Sequence, residues 1–518
     1  MKFQKNKLSK ENFIYSLSLI YLFPFFILIL ANTIFSMLQT TYMDLYLDTE
    51  KPQYKPDSPI FLIVCTLLFI LILAYFFHKT SITPNICTMF KQIALNWGIF
   101  ISLFNIFIFR VRVACDSSHL SKIAIAFLNN DFSSLMGDGY LVHYPHQLGM
   151  IGLLQLVYYI FGIENYTVLQ FLNVIAIFFA IYYLQRITDE IFHDPQIQVL
   201  FSILCIGMFP LFLYSTFIYG DIPGLGLAIP AIYYTIRYLN TCQKRYAIPS
   251  ILCITFSIIL KSNNYVIMVA IILILLLHMI QNKDKFVILF IILLLIMPKL
   301  TNAAINAYYA NLAQIDTIPS GIPKIAWIAM GLQKNDYIEN GWYNSYNWNI
   351  YSQNSYDIDA TTKACFESIK ESLNDFINAP KSGLNFFYKK FISQWNDPGY
   401  QSQITIEWYS RHRDDHSKLA LYLIYGNGRF FIENIMNVYH FIILLGSTIL
   451  ACYNLRERKL SHTLLSLCVF GGYFFHLIWE AGGRYGLEYF ILCVPMAAGG
   501  LWKWVQYVKD FSFHHHTS

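Results

Sequence analysis

A single carboxylate, Asp116, stands where an apolar run of the sequence gives way to a polar segment. Two basic residues, Arg110 and Arg112, close the apolar run just before it. Ionisable groups at the edge of a membrane are costly to place and are therefore candidates for function. A carboxylate in low-dielectric surroundings can act as a general base that takes the proton of an attacking hydroxyl. The alternative is structural, because Asp116 could instead form a salt bridge with Arg110 or Arg112.

Three further groups of charged residues lie at the ends of later apolar runs. Asp221 opens one run, Lys261 closes another, and Glu480 and Arg484 lie on either side of a pair of glycines. Arg484 is the candidate for binding a phosphate, because a guanidinium can bind phosphate oxygens with two parallel hydrogen bonds. Lys261 could add a second positive charge to the same phosphate. Asp221 could equally serve as the N-cap of a helix.

The motif YPHQLG, residues 144–149, adds polar side chains close to the same ends. Tyr144, His146 and Gln147 could line a pocket for a sugar or an acceptor. Tyr485 could stack on the substrate or hydrogen-bond to it. His146 is also a candidate proton shuttle, although a hydrogen-bonded structural histidine is the more common outcome. We therefore predict that these residues bind substrate together with the charged groups.

These candidates belong to a chain of 518 residues that is 56% hydrophobic and 13% charged. Soluble domains carry roughly 25% charged residues, so the composition predicts an integral membrane protein. The net charge of +5 does not indicate nucleic-acid binding, since the basic residues sit mostly in short loops between apolar runs. The low charge and the abundance of Phe, Tyr, Ile, Asn and Lys predict a bacterial source. The sequence shows no Cys or His cluster with metal-ligand spacing, and we predict neither a metal nor a cofactor.

The apolar runs predict about twelve membrane-spanning helices, with both termini in the cytoplasm and the charged candidates on the extracytoplasmic face. The predicted spans are 13–37, 58–77, 93–111, 166–184, 197–217, 222–238, 247–261, 265–281, 286–300, 434–453, 462–479 and 486–504. The run 147–162 is left out, because about 24 Å at ~1.5 Å per residue is shorter than the membrane core. We expect a re-entrant or interfacial helix there. The segment 117–130 has apolar residues at helical spacing and predicts an amphipathic helix in the membrane plane.

Three regions follow from this topology. Residues 1–300 form an N-terminal membrane domain whose catalytic outer loop is 113–165. Residues 301–433 form an α-rich extracytoplasmic loop domain, and residues 434–518 add the C-terminal membrane helices. Segments such as 341–357 are rich in Tyr, Trp and Asn. This composition suits carbohydrate, because aromatic faces stack on sugars and amides bind hydroxyls.

The order of these motifs resembles that of the GT-C glycosyltransferases, most of all the branch of bacterial aminoarabinose transferases and protein O-mannosyltransferases. In that family a catalytic Asp in the first outer loop is usually followed by Glu. Asp116 is similar to this Asp, but Ser117 stands in place of the Glu. The YPHQ motif occupies the place of a Pro-rich motif, and the Arg-Tyr pair at 484–485 resembles a late pair that implies a donor-phosphate contact. The likeness covers residues 93–300 and 460–505.

The resemblance implies an all-α polytopic membrane protein with a GT-C-like bundle. It also implies an enzyme that transfers a sugar with inversion from a polyprenyl-phosphate donor to a cell-wall polymer, a glycolipid or a protein. The expected partners are the lipid-linked donor, this acceptor and membrane lipids, with no nucleic acid. One alternative is a polymerase or ligase of lipid-linked glycans, for which Arg411, His412 and Arg413 would form a second cationic site. Another is a non-enzymatic transporter of lipid-linked glycans.

Overall fold

The computed structural model describes residues 2–46, 50–411, 415–457 and 459–514. This part of the chain is almost entirely helical, and its sheet is a two-stranded antiparallel hairpin. The predicted fold class, an all-α polytopic membrane protein, is therefore confirmed. Residues 314–426, which we call the polar insert, separate the long helices of the N-terminal part from those of the C-terminal part.

Thirteen helices and the hairpin precede the polar insert within the described residues. They are α1 Lys2–Leu38, β1 Gln39–Met43, β2 Pro52–Pro56, α2 Pro59–Lys79, α3 Pro84–Phe109, α4 Cys115–Leu128, α5 Tyr140–His143, α6 Leu148–Phe161, α7 Tyr166–Phe192, α8 Pro195–Cys205, α9 Phe209–Leu213, α10 Asp221–Thr241, α11 Ala247–Leu260, α12 Tyr265–Asn282 and α13 Phe286–Ala313. Helix α13 extends across the predicted domain boundary after residue 300, and the helix Asn427–Asn454, α20, extends across the one after residue 433.

Shorter helices make up the insert, and three long helices follow it. Those of the insert are α14 Ile325–Gly331, α15 Tyr346–Gln353, α16 Ile358–Asn378, α17 Pro380–Trp395, α18 Ser402–Ser410 and α19 Lys418–Ile424. Those that follow are α20 Asn427–Asn454, α21 Leu460–Ile478 and α22 Gly483–His514.

Eight helices among the described residues are long and apolar enough to cross a membrane. They are α1, α2, α3, α7, α12, α13, α20 and α21. Helices α8 and α9 meet at a bend of 50° and give a ninth span if the pair is counted as one. These nine correspond to nine of the twelve predicted spans.

The other three predicted spans, 222–238, 247–261 and 486–504, fold within α10, α11 and α22. Among the described residues, these three helices do not meet both the length and the hydropathy that the first nine spans meet. Helix α11 has 14 residues, which is about 21 Å at ~1.5 Å per residue. Helix α10 is buried on most of its surface and packs on α7 and α11. Its small and polar side chains therefore meet other helices rather than lipid.

The segment 117–130, predicted to be an amphipathic surface helix, forms α4 with its apolar face turned towards the protein. Leu120 is fully buried, and α4 packs against α6. Ser121 Oγ lies 2.8 Å from the hydroxyl oxygen of Tyr158 on α6. The far end of α6 exposes large apolar side chains, including Tyr159 at 81%. The α4–α6 pair is thus anchored in the bundle at one end and open to apolar surroundings at the other.

The polar insert is bonded to the connection between α21 and α22. The amide of Ala481 donates to the carbonyl of Gly341 at 2.9 Å. Lys390 Nζ donates to the carbonyl of Trp479 at 2.8 Å and also to that of Gly331. Lys390 is only 1% exposed, so water has little access to replace it as the donor to these two carbonyls. The insert therefore fixes the backbone of this connection.

Many aromatic side chains of the insert form its core. Trp342, Tyr351, Trp395 and Tyr400 are each at most 3% exposed. The indole of Trp342 donates to Ser393 Oγ at 2.9 Å. These four rings are enclosed by protein, so the aromatic richness that suggested carbohydrate binding serves, at these positions, to pack the insert.

The β1–β2 hairpin is docked on the insert as well. The amide of Thr41 donates to the carbonyl of Asn396 at 3.0 Å, and its hydroxyl donates to that of Ile392 at 2.8 Å. At the other end of the hairpin, the Asn437 amide donates to Asp57 Oδ1 at 2.9 Å. The hairpin is thus held on both sides.

We expect Lys390→Met to destabilise the protein, since it removes the donor of two carbonyls while it keeps most of the length of the side chain. An unpaired buried acceptor costs about 1–3 kcal/mol, so the midpoint of thermal unfolding in detergent should fall by several degrees. The control is Lys389→Met, because Lys389 is the exposed neighbour on the same helix. Equal midpoints for the two variants would contradict this role of Lys390.

Candidate active site

Three charged side chains from separate parts of the chain meet at one end of the helix bundle, which we call the site end. Asp221 is the first residue of α10, Lys261 directly follows α11, and Arg484 lies in the first turn of α22. Lys261 Nζ is 3.0 Å from Asp221 Oδ1, and Arg484 Nε is 3.8 Å from the same oxygen. The three side chains are mostly buried. The carboxylate thus lies between two cations in surroundings where charges interact more strongly than in water.

Close packing of helix ends brings Asp221 and Lys261 together. Gly220, rather than Asp221, is the N-cap residue of α10. A Cβ atom on Gly220 would lie 1.9 Å from the carbonyl oxygen of Leu260. Only glycine allows this approach of the two chain segments. The carboxylate of Asp221 is therefore used for ion pairing and not for capping.

The backbone of Arg484 is fixed by a turn of the polar insert. The amide of Arg484 donates to Oε1 of Gln401 at 2.8 Å. The carboxylate of Asp397 accepts the amide of Gln401 at 2.7 Å and that of Gly399 at 2.9 Å. Burial raises the pKa of Asp397 to about 6. A Cβ atom on Gly483 would lie 3.1 Å from the side chain of Gln401, so the glycine permits this close contact.

Aromatic rings enclose the two cations. The guanidinium carbon of Arg484 lies 5.4, 5.4 and 5.3 Å from the ring centres of Phe217, Tyr219 and Tyr485. Lys261 Nζ lies 5.0 Å from the ring centre of Tyr219 and 5.2 Å from that of Tyr485. These distances fall in the range of cation–π interactions. The wall of the site is therefore both cationic and aromatic.

Glu480 joins this cluster through Tyr485. Its Oε1 accepts a hydrogen bond from the Tyr485 hydroxyl at 3.1 Å. Burial raises the pKa of Glu480 to about 7, although the nearby charge of Arg484 acts in the opposite direction. Among the described residues, the carboxylate in ion-pair distance of Arg484 is that of Asp221 rather than that of Glu480.

The YPHQLG motif reaches the same aromatic wall. Gln147 Nε2 donates to the hydroxyl of Tyr219 at 2.5 Å. The ring of Tyr144 lies 6.2 Å from that of Trp327 in the polar insert. The motif therefore forms the boundary between the bundle and the insert.

His146 lies at this boundary with an exposed side chain. Burial and, to a smaller extent, the charges of Lys261 and Lys324 lower the pKa of His146 to about 4. The imidazole is therefore neutral at neutral pH and can donate one hydrogen bond and accept another.

Asp116 lies in the first turn of α4 with an exposed side chain. Within the described chain, no hydrogen bond or ion pair joins it to Arg110 or Arg112. The amide of Arg112 donates instead to the carbonyl of Tyr409 at 2.9 Å. The charge of Asp116 adds to the effect of burial in raising the pKa of Glu480. Asp116 thus lies within electrostatic reach of the cluster and is not held by a salt bridge to the two arginines.

A second carboxylate, Glu50, reaches the site from the hairpin and was missed in the sequence. The chain on both sides of it is held by the polar insert. Lys51 Nζ donates to the carbonyl of Asp336 at 2.9 Å. Arg411 Nη2 donates to the carbonyl of Leu45 at 3.0 Å. These bonds hold Leu45 and Lys51 against the insert on either side of the hairpin connection.

Electrostatic interactions show where Glu50 lies. Burial raises its pKa, the charge of Arg484 opposes this rise, and the charge of Asp116 reinforces it. The Glu50 side chain is nevertheless exposed, so it is not packed into the core. No local sequence pattern indicates that Glu50 lies near Asp116 and Arg484. Tyr219, by contrast, stands two residues before Asp221 and could have been found from the sequence.

The basic group considered as a second cationic site is only partly within the structure. His412 and Arg413 lie outside the described residues. Arg411 Nε is 2.7 Å from Glu407 Oε2, and Arg411 also holds the carbonyl of Leu45. Arg411 therefore serves to hold the hairpin on the insert.

Comparison with known proteins adds one finding to this geometry. No curated protein is a significant match to the chain. Residues 149–301 match the model of a protein family described as dolichyl-phosphate-mannose-protein mannosyltransferase. The matched segment contains Asp221 and Lys261 and leaves Asp116 and Arg484 outside. Together with the apolar helices, this match indicates a multi-pass membrane protein and supports a glycosyltransferase of the GT-C superfamily.

Proposed function

We propose that the protein transfers a sugar from a polyprenyl-phosphate donor to an extracytoplasmic acceptor, with inversion at the anomeric carbon. The observation that carries this proposal is the pair of cations, Lys261 and Arg484, that share Asp221 beneath an aromatic wall. The family match supports the same reaction class. The acceptor is a cell-wall polymer, a glycolipid or a protein.

The charge of the cluster suits a donor with a single phosphate. Lys261 and Arg484 carry two positive charges, and Asp221 cancels one of them. These three side chains leave one positive charge, and Glu480, whose pKa burial raises to about 7, would cancel only part of it. The remainder suits the single negative charge of a phosphodiester between lipid and sugar. Arg484 would bind two phosphate oxygens through its planar fork, and the aromatic wall would lie against the sugar.

Asp116 is the proposed general base. It takes the proton of the acceptor hydroxyl while the oxygen attacks the anomeric carbon from the face opposite the phosphate. The bond between the anomeric carbon and the phosphate oxygen breaks, and its electron pair leaves with the phosphate. The charge that develops there is stabilised by Arg484 and Lys261, because cations already in place need little reorganisation.

Glu50 is the proposed second carboxylate of the acceptor side. The residue that follows Asp116 is Ser117, which is fully buried and whose Oγ lies 2.7 Å from the Tyr409 hydroxyl oxygen. That position therefore provides no acid. Glu50 interacts electrostatically with both Asp116 and Arg484, and it would orient the acceptor hydroxyl towards Asp116.

The site end is the proposed extracytoplasmic face, with both chain termini in the cytoplasm. Basic residues gather at the opposite end of the bundle, in the short connections that follow α10 and α12. They are Lys244, Arg245, Lys283 and Lys285. Cytoplasmic loops carry such an excess of Lys and Arg, which supports this orientation.

Asp116→Asn should reduce sugar transfer by about 10²–10⁴-fold, because general-base catalysis contributes a factor of this size. The measurement is transfer in vitro from a panel of radiolabelled polyprenyl-phosphate sugars, with donor binding measured in parallel. Glu367→Gln, at an exposed carboxylate of α16, is the matched control. Unchanged transfer by the Asn variant would remove Asp116 from catalysis.

Arg484→Gln should weaken binding of the polyprenyl-phosphate donor at least about tenfold, since hydrogen bonds to charged groups contribute about 1.5–3 kcal/mol. Arg484→Lys should bind the donor almost as weakly as Arg484→Gln, because an ammonium lacks the planar fork. Donor affinity is measured by equilibrium binding, with Arg456→Gln at an exposed arginine as control. A donor affinity equal to that of the wild type would exclude Arg484 as the phosphate ligand.

Glu50→Gln should lower the rate of transfer about 10-fold to 100-fold while donor affinity and thermal stability stay near wild type, since the residue lies on the acceptor side and keeps its shape. Lys55→Gln, on the same hairpin, should leave the rate unchanged. If both variants lose the same activity, the hairpin matters for folding and Glu50 has no role of its own.

A further inference from the structure

Three polar side chains converge at the end of the bundle opposite the site end. Cys242, His278 and Asp284 each offer one atom with metal-binding capacity, and these atoms all lie within 4.8 Å of one another. Cys242 Sγ is 3.8 Å from His278 Nε2. Cys242 directly follows α10, His278 lies four residues before the end of α12, and Asp284 lies in the connection to α13. They are separate from the candidate active site.

Helix termini fix the backbone at this cluster. Cys242 is the C-cap residue of α10 in a left-handed conformation with φ of 54°, and its amide donates to the carbonyl of Tyr238 at 2.7 Å. Lys283 ends α12 in the same way, with φ of 55°. Asp284 follows, and its Oδ1 accepts the amide of Phe286 at 3.0 Å at the start of α13. The ends of α10 and α12 and the start of α13 therefore fix the positions of the three side chains, and none of them depends on a long loop.

Two of the side chains also have partners that would orient them for a metal. Asn282 Nδ2 lies 2.9 Å from His278 Nδ1 and 3.4 Å from Nε2, and Nε2 lies 3.8 Å from Cys242 Sγ. A histidine that binds metal through Nε2 carries its proton on Nδ1, so the Asn282 amide would turn to place Oδ1 there as the acceptor. The hydroxyl of Tyr238 donates to Asp284 Oδ2 at 2.5 Å. Metal-binding histidines and carboxylates in proteins are typically held by such outer hydrogen bonds.

We propose that Cys242, His278 and Asp284 bind one Zn²⁺ ion. A thiolate, an imidazole and a carboxylate are the ligand types that zinc takes, with bonds of about 2.0–2.3 Å. Tetrahedral bonds of that length place neighbouring ligand atoms about 3.3–3.8 Å apart. The distance of 3.8 Å between Cys242 Sγ and His278 Nε2 already meets this requirement. Binding displaces the thiol proton, so one proton is released for each ion bound.

The fourth position of the ion would be open to a polar pocket. This pocket has a volume of about 420 Å³, and its wall contains His278 and Asn282 but neither Cys242 nor Asp284. Its other polar side chains include Glu190, His193, Asn240 and His462. Water or one of these side chains could complete the coordination, and the pocket gives the ion a path of entry.

A Zn²⁺ ion at this second site would stabilise the helix bundle and would not contact the substrate. Helix α10 begins at Asp221 and has 21 residues, about 31 Å at ~1.5 Å per residue. An ion at Cys242 is therefore too far from the active site to contact the reacting groups. It would join α10, α12 and α13 at one end and stabilise the arrangement of helices that holds Asp221 at the other.

The test is metal binding by the purified full-length protein in detergent. After incubation with Zn²⁺ and removal of free metal, wild type should retain one equivalent by elemental analysis, and Cys242→Ser should retain less than about a tenth of that. Cys452→Ser is the matched control, since Cys452 is also an exposed cysteine, and it should retain a full equivalent. Co²⁺ in place of Zn²⁺ should give a thiolate-to-metal charge-transfer band that Cys242→Ser lacks.

A second variant guards against a loss of folding. Asn282→Ala leaves the three ligands intact and should weaken Zn²⁺ binding about 10-fold to 100-fold, as the loss of an outer partner does. Zn²⁺ should also raise the thermal midpoint of wild type and of Cys452→Ser, but not that of Cys242→Ser. The proposal is overturned if wild type retains no metal, or if Cys242→Ser and Cys452→Ser retain equal amounts. Both outcomes are independent of sugar transfer.

Discussion

The structure at the site end depends on one ion cluster, in which a single carboxylate, Asp221, balances Lys261 and Arg484. Two cations brought close in partly desolvated surroundings repel each other, and the carboxylate between them removes most of that penalty. The three residues stand at the ends of three different helices. The cluster therefore determines how α10, α11 and α22 meet, and the aromatic wall and the insert are arranged around it.

The polar insert has a positioning function in this arrangement. It contributes Gln401 to the amide of Arg484 and Lys390 to the carbonyl of Trp479. It also carries the hairpin that brings Glu50 to the bundle. A site formed from helix ends alone would depend on the relative tilt of the helices. The bonds from the insert fix the connection between α21 and α22 independently of that tilt.

The sequence was sufficient for the fold class and for the charged core of the site, because ionisable side chains at the ends of apolar runs are rare. Asp221, Lys261 and Arg484 were found in this way. Glu50 could not be found, since its place depends on how a hairpin docks on a distant insert. The amphipathic pattern of α4 was sufficient to predict the helix and its apolar face. Its position in the membrane plane stays a prediction, because an apolar face looks the same whether it meets lipid or protein. Helix α10 was predicted as a span from its apolar residues. In the structure it is surrounded by protein, and it lacks the hydropathy of the spans that are exposed to lipid.

The exposed apolar end of α6 has a mechanical consequence. Tyr159 and Phe161 extend from the protein at that end, while Gln147, directly before the helix, holds the hydroxyl of Tyr219 in the aromatic wall. One short helix thus links an exposed apolar end to the aromatic wall of the candidate site. With that end in a bilayer, a change in lipid packing that tilts α6 would move the Gln147–Tyr219 contact. A site with the proposed function would in this way respond to the membrane that carries its lipid-linked donor.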